Sequence, residues 1–268
     1  MTVGKEPSFE TIELRLDGPV AELVLARPDC RNAMDERMGA EIEAACERLA
    51  RQEGLRAVLV RGKGASFSAG GDFAFIEERT RHDHEANVEA MLRFYGRFLA
   101  IRRVPVPTLA VIHGHAVGAG LCFALACDLR FASVDAKLGA SFVRIGLHPG
   151  MGATALLPAL VGPAVAADLL LTGRTVGAEE ALRLGLVSAI HPAVDLLEAA
   201  RRQAERIAEA GPVAVRQLVR TLRAPIDEAL IGALQREAAC QAADYATEDV
   251  QEAIRAFREK RRPRFVGR

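Results

Sequence analysis

The sequence contains no tryptophan, only two tyrosines, and five cysteines that are scattered along 268 residues. An odd number of cysteines without a CxxC pair indicates neither a disulfide framework nor a zinc site. Every long apolar run is interrupted by glycine, histidine or a charged residue, so no membrane span is predicted. Residues 1–16 lack the apolar segment of a secretory signal peptide. We therefore expect a cytoplasmic protein without membrane association.

The chain also lacks a charge excess of either sign, since 35 Lys and Arg balance 35 Asp and Glu. This balance argues against a nucleic-acid or membrane surface as partner. A composition of 50% hydrophobic and 26% charged residues is typical of a soluble globular enzyme. The length suits one large domain, or one domain with an appendage, which buries about three-quarters of its unfolded surface.

The predicted strands lie in the first two-thirds of the chain, and the last third is predicted to be helical. Residues 9–16 and 20–25 alternate as a hairpin, and apolar strands follow at 57–61 and 109–112. We predict an α/β core over residues 1–195 and a helical C-terminal region over 196–268, with helix breaks at Gly211 and Pro225. The apolar faces of that region require a partner surface, so we expect oligomerisation.

Residues 73–103 are predicted to form one long, solvated and mobile helix before Pro105. This segment contains the triplet His82-Asp83-His84. Residues two apart on a helix do not face each other, so the triplet does not indicate a metal site. We predict no metal.

Two glycine-rich turns each follow an apolar strand. One is the run SFSAGGD at residues 66–72. The other lies within TLAVIHGHAVGAGLCFALACD at residues 108–128, where a strand turns through Gly114, Gly118 and Gly120 into a helix predicted over 121–126. Glycines bring bare backbone close to a ligand, and the first N–H groups of a helix have no partner inside it. The two turns could therefore supply one N–H each to the same oxyanion.

The order of these motifs resembles the crotonase (enoyl-CoA hydratase/isomerase) family over nearly the whole chain. The matching runs are NAM at 32–34, SFSAGGD at 66–72, HGHAVGAG at 113–120, CDLR at 127–130, GLHPGMG at 146–152, EEALRLGLV at 179–187, and residues 257–265 with KRRP at 260–263. The resemblance implies an α/β spiral of ββα units with a C-terminal helical trimerisation region. It also implies a homotrimer or a dimer of trimers, and an acyl-CoA thioester as ligand with no further cofactor.

The resemblance assigns site residues by motif position. The two N–H groups that would hold the thioester carbonyl fall on Gly71 and on Ala119, where the family usually has glycine. Lys260 matches a lysine that reaches a phosphate of coenzyme A, although a solvated lysine is an equal interpretation. An apolar acyl pocket is expected from Phe67, Phe73, Phe75, Phe142 and Leu147. The coenzyme A groove corresponds to Ala26, Arg27, Ala33, Ser68, Gly70, Gly71, Asp72, Phe73 and Ala74.

The sequence departs from the family at its acid–base positions. Hydratases of the family use two glutamates, and these positions are Cys122 and Phe142 here. The position at which some relatives carry an aspartate is Gly150. No Asp or Glu occurs between Ile112 and Cys127 or between residues 136 and 167. Ordinary hydration of an enoyl thioester, which needs general acid–base groups, is therefore not expected.

Three interpretations are compatible with these residues. The first is an acyl-CoA enzyme with an unusual proton-moving group, for which the candidates are His148, Cys122, Glu77 and Glu78. The second is an enzyme, such as a decarboxylase of a malonyl-type thioester, that needs only enolate stabilisation. The third is a non-catalytic acyl-CoA binder in which Cys122 and Phe142 are apolar lining. Each candidate side chain also has a structural interpretation, Cys122 as a small buried hydrophobe and Asp72 as the cap of its own turn.

Overall fold

The computed structural model describes residues 9–268, so the first half of residues 1–16, where no signal peptide is expected, lies outside the described residues. The strands are β1 (Ile12–Arg15), β2 (Val20–Leu25), β3 (Ala57–Gly62), β4 (Thr108–Ile112), β5 (His115–Val117), β6 (Leu129–Ser133), β7 (Lys137–Gly139), β8 (Thr175–Gly177) and β9 (Ala189–His191). The helices are α1 (Glu36–Arg51), α2 (Phe73–Arg79), α3 (His84–Leu99), α4 (Ala119–Leu125), α5 (Ala153–Val161), α6 (Pro163–Thr172), α7 (Ala178–Arg183), α8 (Ala193–Ala208), α9 (Pro212–Asp244) and α10 (Glu248–Arg258).

The strands form two sheets. The larger has six strands in the order β1-β2-β3-β4-β6-β9 and the smaller has three in the order β5-β7-β8. The β1–β2 hairpin is antiparallel, as predicted, and the other neighbours in the large sheet are parallel. Every residue of β2 and β4 is buried, which explains the continuous apolar character of β4. The one charged residue of β2, Glu22, pairs with Arg61 at 3.0 Å. The α/β class is confirmed.

The C-terminal helices pack on the strand-bearing part of the chain. Leu196 and Ala200 of α8 share an apolar cluster with Leu59 of β3 and Leu109 of β4. Helix α9 lies along α3 and α5. The division of the chain at residue 195 stays a prediction. Helix α8 in the predicted C-terminal region covers one face of the large sheet. None of the helices between residues 9 and 268 has the length and apolarity that a membrane crossing requires.

The prediction of one solvated, mobile helix over residues 73–103 is wrong. The segment divides into α2, α3 and a short 3-10 turn, because Asp83 begins a new helix by accepting a hydrogen bond from the Ala86 N–H at 2.8 Å. Helix α3 then buries Phe94, Tyr95 and Phe98 in the core. The large side chains on this face outweigh the charged pattern that indicated solvation.

The predicted helix break at Pro225 is also wrong, because α9 continues through it over 33 residues. Proline in a helix interior costs about 3 kcal/mol, and tertiary contacts offset this cost here. The buried Arg223 guanidinium donates to the carbonyls of Arg102 and Val104, both at 2.7 Å, and to the Asp128 carboxylate at 2.5 Å. These bonds fix the helix against the core two residues before the proline.

Candidate active site

The two glycine turns lie side by side because their backbones are hydrogen-bonded to each other. The Ser68 N–H donates to the His115 carbonyl at 2.9 Å, and the Val117 N–H donates to the Ser68 carbonyl at 3.2 Å. The second turn contains β5, which the sequence pattern did not predict. A Cβ on Gly120 would lie 2.7 Å from the Ser68 Cβ, so glycine is required there for the turns to meet.

Backbone conformation explains why alanine is tolerated at position 119. Gly118 has φ 53° and ψ −126°, a conformation that favours glycine. Ala119 follows it as the first residue of α4 and has ordinary helical geometry. Gly70, at φ +91°, approaches so closely that a Cβ on it would lie 2.6 Å from the Val117 oxygen and 3.5 Å from the Ala119 nitrogen. The strained positions are therefore glycines, and Ala119 keeps its N–H.

Two backbone N–H groups are left without an acceptor at this junction. The two residues that flank Gly71 are hydrogen-bonded to Met34. The Met34 N–H donates to the Gly70 carbonyl, and the Asp72 N–H donates to the Met34 carbonyl. Within residues 9–268, the N–H groups of Gly71 and Ala119 donate to no protein atom. Both residues line the same cavity. Paired free donors at a helix start can stabilise negative charge that develops on one oxygen.

The cavity has a volume of about 110 Å³ and a mostly apolar wall. Phe73, Phe75, Phe142 and Leu147 line it, and the use of this lining by an acyl group stays a prediction. Phe67 does not line the cavity, because it is fully buried in the core with its ring 6.4 Å from that of Phe123. The remaining lining residues are Ala69, Gly70, Gly71, Ile76, Met91, Phe94, Tyr95, Gly118, Ala119, Ser141, Ile145, Gly150, Met151, Gln241 and Tyr245.

The proposed acid–base residues are not brought into this cavity. Cys122 is fully buried behind the wall, its thiol donates to the Gly150 carbonyl at 3.4 Å, and burial raises its pKa. His148 lies beside the wall with its Nδ1 2.6 Å from the Pro149 oxygen. Glu77 pairs with Arg258 at 2.5 Å and Glu78 with Arg79 at 3.1 Å. Among the described residues, no Asp, Glu, His or Cys lines the cavity.

Arg27, Ala33 and Asp72 of the predicted coenzyme A groove are joined by polar contacts. The Arg27 guanidinium pairs with Asp35 at 2.8 Å and with Asp72 at 3.3 Å, and it donates to the Ala33 carbonyl at 2.6 Å. Asp72 also caps α2 through the Ala74 N–H at 2.9 Å. Its role in closing the turn is thereby structural, as the sequence indicated.

Three further predicted groove residues have distinct surroundings. The Ala26 N–H donates to the Thr11 carbonyl at 2.8 Å, and the buried Ser68 hydroxyl donates to the Asn32 carbonyl at 2.8 Å. Lys260 is exposed, with φ 53°, and its N–H donates to the Phe257 carbonyl. The Phe257 ring stacks on Phe73 with 3.8 Å between centroids. The C-terminal segment of the same chain therefore reaches the cavity rim.

The cavity is also lined by polar residues that the sequence analysis did not identify. Both tyrosines of the chain, Tyr95 and Tyr245, line the cavity, together with Gln241. The Tyr95 hydroxyl donates to Gln241 Oε1 at 2.8 Å, and Gln241 Nε2 donates to the His148 carbonyl at 2.7 Å. Burial raises the pKa of Tyr95 well above its usual range. The scarcity of tyrosine was the only signal available, because residues 95 and 241 lie on different helices.

Gly150 is small because this polar pair occupies the adjacent space. A Cβ at Gly150 would lie 2.5 Å from Tyr95 Oη and 2.7 Å from Gln241 Nε2. We expect Gly150→Ala to lower the free energy of unfolding by about 1–3 kcal/mol through overpacking. Gly96→Ala is the matched control, since a Cβ there meets no atom within 4 Å and the position is inside α3. That control should stabilise the protein by about 0.5–1 kcal/mol. Urea denaturation measures both, and an unaffected Gly150→Ala variant would contradict the crowding.

The structure is an α/β protein in which two backbone N–H groups without a partner among the described residues face a mostly apolar cavity. The model of the enoyl-CoA hydratase/isomerase family matches residues 16–268, and the chain belongs to this family, which acts on acyl-CoA thioesters. It is 39% identical over 248 residues to a putative enoyl-CoA hydratase of Thermus thermophilus, covering 92% of this chain and 98% of that protein. It is 32% identical over 268 residues to the crotonyl-CoA hydratase of Syntrophomonas wolfei, covering 97% and 100%.

Solved structures give the same assignment. An enoyl-CoA hydratase from Mycobacterium avium subsp. paratuberculosis superposes with a TM-score of 0.86 at 30% identity, covering 97% of this chain and 100% of that one. The predicted crotonase fold is thereby confirmed. Trimer formation stays a prediction.

Proposed function

We propose that the protein binds an acyl-CoA thioester with its carbonyl oxygen between the N–H groups of Gly71 and Ala119. The observation that carries this proposal is the pair of unpartnered donors at one cavity. Two such donors polarise a thioester carbonyl and favour its enolate over the neutral ester. No additional cofactor is required for this step.

The acyl group proposed for the cavity is mainly hydrocarbon. Side chains such as Ile76, Met91 and Phe94 form most of the wall, and no cation lines it among the described residues. A buried carboxylate without a charged partner is strongly unfavourable. This argues against a malonyl-type substrate and makes decarboxylation the weaker reaction, although an oxyanion site without acid–base residues would serve it.

Ordinary enoyl-CoA hydration is not part of the proposal. That reaction requires a group that deprotonates water and a group that protonates the α-carbon. Phe142 occupies one family glutamate position on the wall, and Cys122 lies behind the wall at the other. The protein therefore acts in enolate chemistry with other proton donors, or as an acyl-CoA binder.

The proposed assembly is a homotrimer or a dimer of trimers. Helix α9 supports it, because Leu218 and Leu222, four residues apart on one face of this helix, are 56% and 67% exposed in the single chain. Large apolar side chains on a long helix favour contact with another copy. Lys260, exposed three residues after Phe257, is the proposed contact for a coenzyme A phosphate.

The direct test uses acetoacetyl-CoA, a 3-ketoacyl thioester that ionises to an enolate with strong near-ultraviolet absorbance. We expect the bound ligand to ionise at lower pH than the free ligand, since the two N–H groups favour the enolate oxygen. The absence of tryptophan keeps the protein's own absorbance low. Binding without a lower ligand pKa would contradict the oxyanion role, and absence of binding would overturn the proposal.

A further inference from the structure

We propose that Tyr95 and Gln241 form a subsite for a hydroxyl group on the acyl chain. The inference rests on the proposed function, because it concerns the acyl end of the same ligand. Both side chains are only 2% exposed and both line the cavity. They come from α3 and α9, outside the motifs by which the family was identified.

The directions of the hydrogen bonds in this pair are determined by the backbone. The His148 carbonyl can only accept, so the Gln241 atom 2.7 Å from it is the amide nitrogen. The amide oxygen then faces Tyr95 and accepts from its hydroxyl at 2.8 Å. The His148 N–H is itself held by Asp244 Oδ2 at 2.6 Å. The orientation of the pair is therefore fixed from outside the cavity.

One donor and one acceptor of the pair are unused within residues 9–268. An amide nitrogen carries two protons, and Gln241 uses one of them on His148. A phenol oxygen can accept as well as donate, and Tyr95 Oη receives no hydrogen bond from the described part of the chain. Both atoms converge beside Gly150, since a Cβ there would be 2.5 Å from one and 2.7 Å from the other.

The complement of an adjacent donor and acceptor is a group that both accepts and donates. A hydroxyl does so, accepting from Gln241 Nε2 and donating to Tyr95 Oη. A ketone would satisfy only the amide proton, and a carboxylate would be buried without a cation. Tyr95 remains a neutral phenol because burial raises its pKa. The geometry therefore selects a hydroxyacyl chain over its saturated parent.

The experiment compares hexanoyl-CoA with its 3-, 4- and 5-hydroxy counterparts, in both configurations, by isothermal titration calorimetry. We expect one hydroxy ligand to bind about tenfold more tightly than hexanoyl-CoA, the gain from two net hydrogen bonds. In each of the Tyr95→Phe and Gln241→Met variants, the ratio of hydroxyhexanoyl-CoA affinity to hexanoyl-CoA affinity should fall to near one, because one partner of the hydroxyl is removed. The matched control is Tyr245→Phe, because that hydroxyl also lies in the wall but donates to Met91 Sδ at 3.4 Å. It should keep the preference.

The outcomes separate the two proposals. Binding of hexanoyl-CoA without any gain from a hydroxyl overturns the subsite and leaves the thioester site standing. Equal loss of preference in the Tyr245→Phe variant also overturns it, since the effect would then belong to the wall as a whole. Failure of the native protein to bind any of these thioesters, while it remains folded by circular dichroism, overturns the proposed function itself.

Discussion

Crotonyl-CoA should be hydrated by this protein at least about 10⁴-fold more slowly than by an ordinary enzyme of turnover near 10 per second. The reason is that no carboxylate within residues 9–268 lines the cavity, since each missing acid–base group costs roughly 10²–10⁴ in rate. Loss of the conjugated enoyl absorbance measures the reaction. The crotonyl-CoA hydratase of Syntrophomonas wolfei, 32% identical to this chain, is the positive control in the same assay.

A pair of variants tests whether the missing carboxylate explains the slow hydration, by adding one to the cavity wall. Phe142 lines the cavity, so Phe142→Glu places a carboxylate in the wall and Phe142→Gln places a side chain of the same shape without charge. We expect the Glu variant to hydrate crotonyl-CoA about 10²-fold faster than the Gln variant. Native turnover within the usual range would refute this explanation, because it would require a base outside the described wall.

Ala119→Pro should abolish most of the enolate stabilisation by deleting one N–H donor. Removal of one such donor costs about 3–4 kcal/mol, which corresponds to a rise of about 2–3 in the pKa of bound acetoacetyl-CoA. The substitution is compatible with the fold because Ala119 is the first residue of α4, where proline is accepted and the N–H has no acceptor inside the helix.

The control for this prediction is Ala119→Gly, which keeps the N–H and should leave the ligand's pKa near its native value. Thermal unfolding followed by circular dichroism establishes that both variants are folded. If the proline variant still lowers the ligand's pKa as the native protein does, Ala119 is not an oxyanion donor. Gly71 would then need another partner on the second turn.

The two glycine turns were predictable from sequence because short-range pattern determines them. Glycines at fixed spacing after apolar strands require close backbone approach, and the structure joins Ser68 to His115 and Val117 as that pattern indicated. The glycine pattern did not predict β5, because a strand of three residues is too short to show alternation of apolar and polar side chains. The predicted break at Pro225 was wrong for a different reason. Local helix propensity does not include the hydrogen bonds that Arg223 donates to the carbonyls of Arg102 and Val104, which are distant in sequence.

The polar side of the cavity was not predictable, because its residues are distant in sequence. Tyr95 and Gln241 are separated by 146 positions and meet only when α3 and α9 pack. Cys122 illustrates the converse, since its motif position is correct but its thiol faces the Gly150 carbonyl behind the wall. Motif position gives the backbone location of a residue, and the direction of its side chain depends on packing.

The Tyr95–Gln241 bond also has a consequence for the order in which the molecule is assembled on the ribosome. The two N–H donors belong to residues 71 and 119, which are synthesised long before Gln241, Tyr245 and Phe257. Contacts of high sequence separation form late because loop closure must precede them. The end of the cavity that carries the two N–H donors can therefore form during synthesis, whereas the end at Tyr95 and Gln241 closes only after the last helices emerge. A ligand that fills the cavity would favour this final docking step, because it binds the closed chain and not the open one.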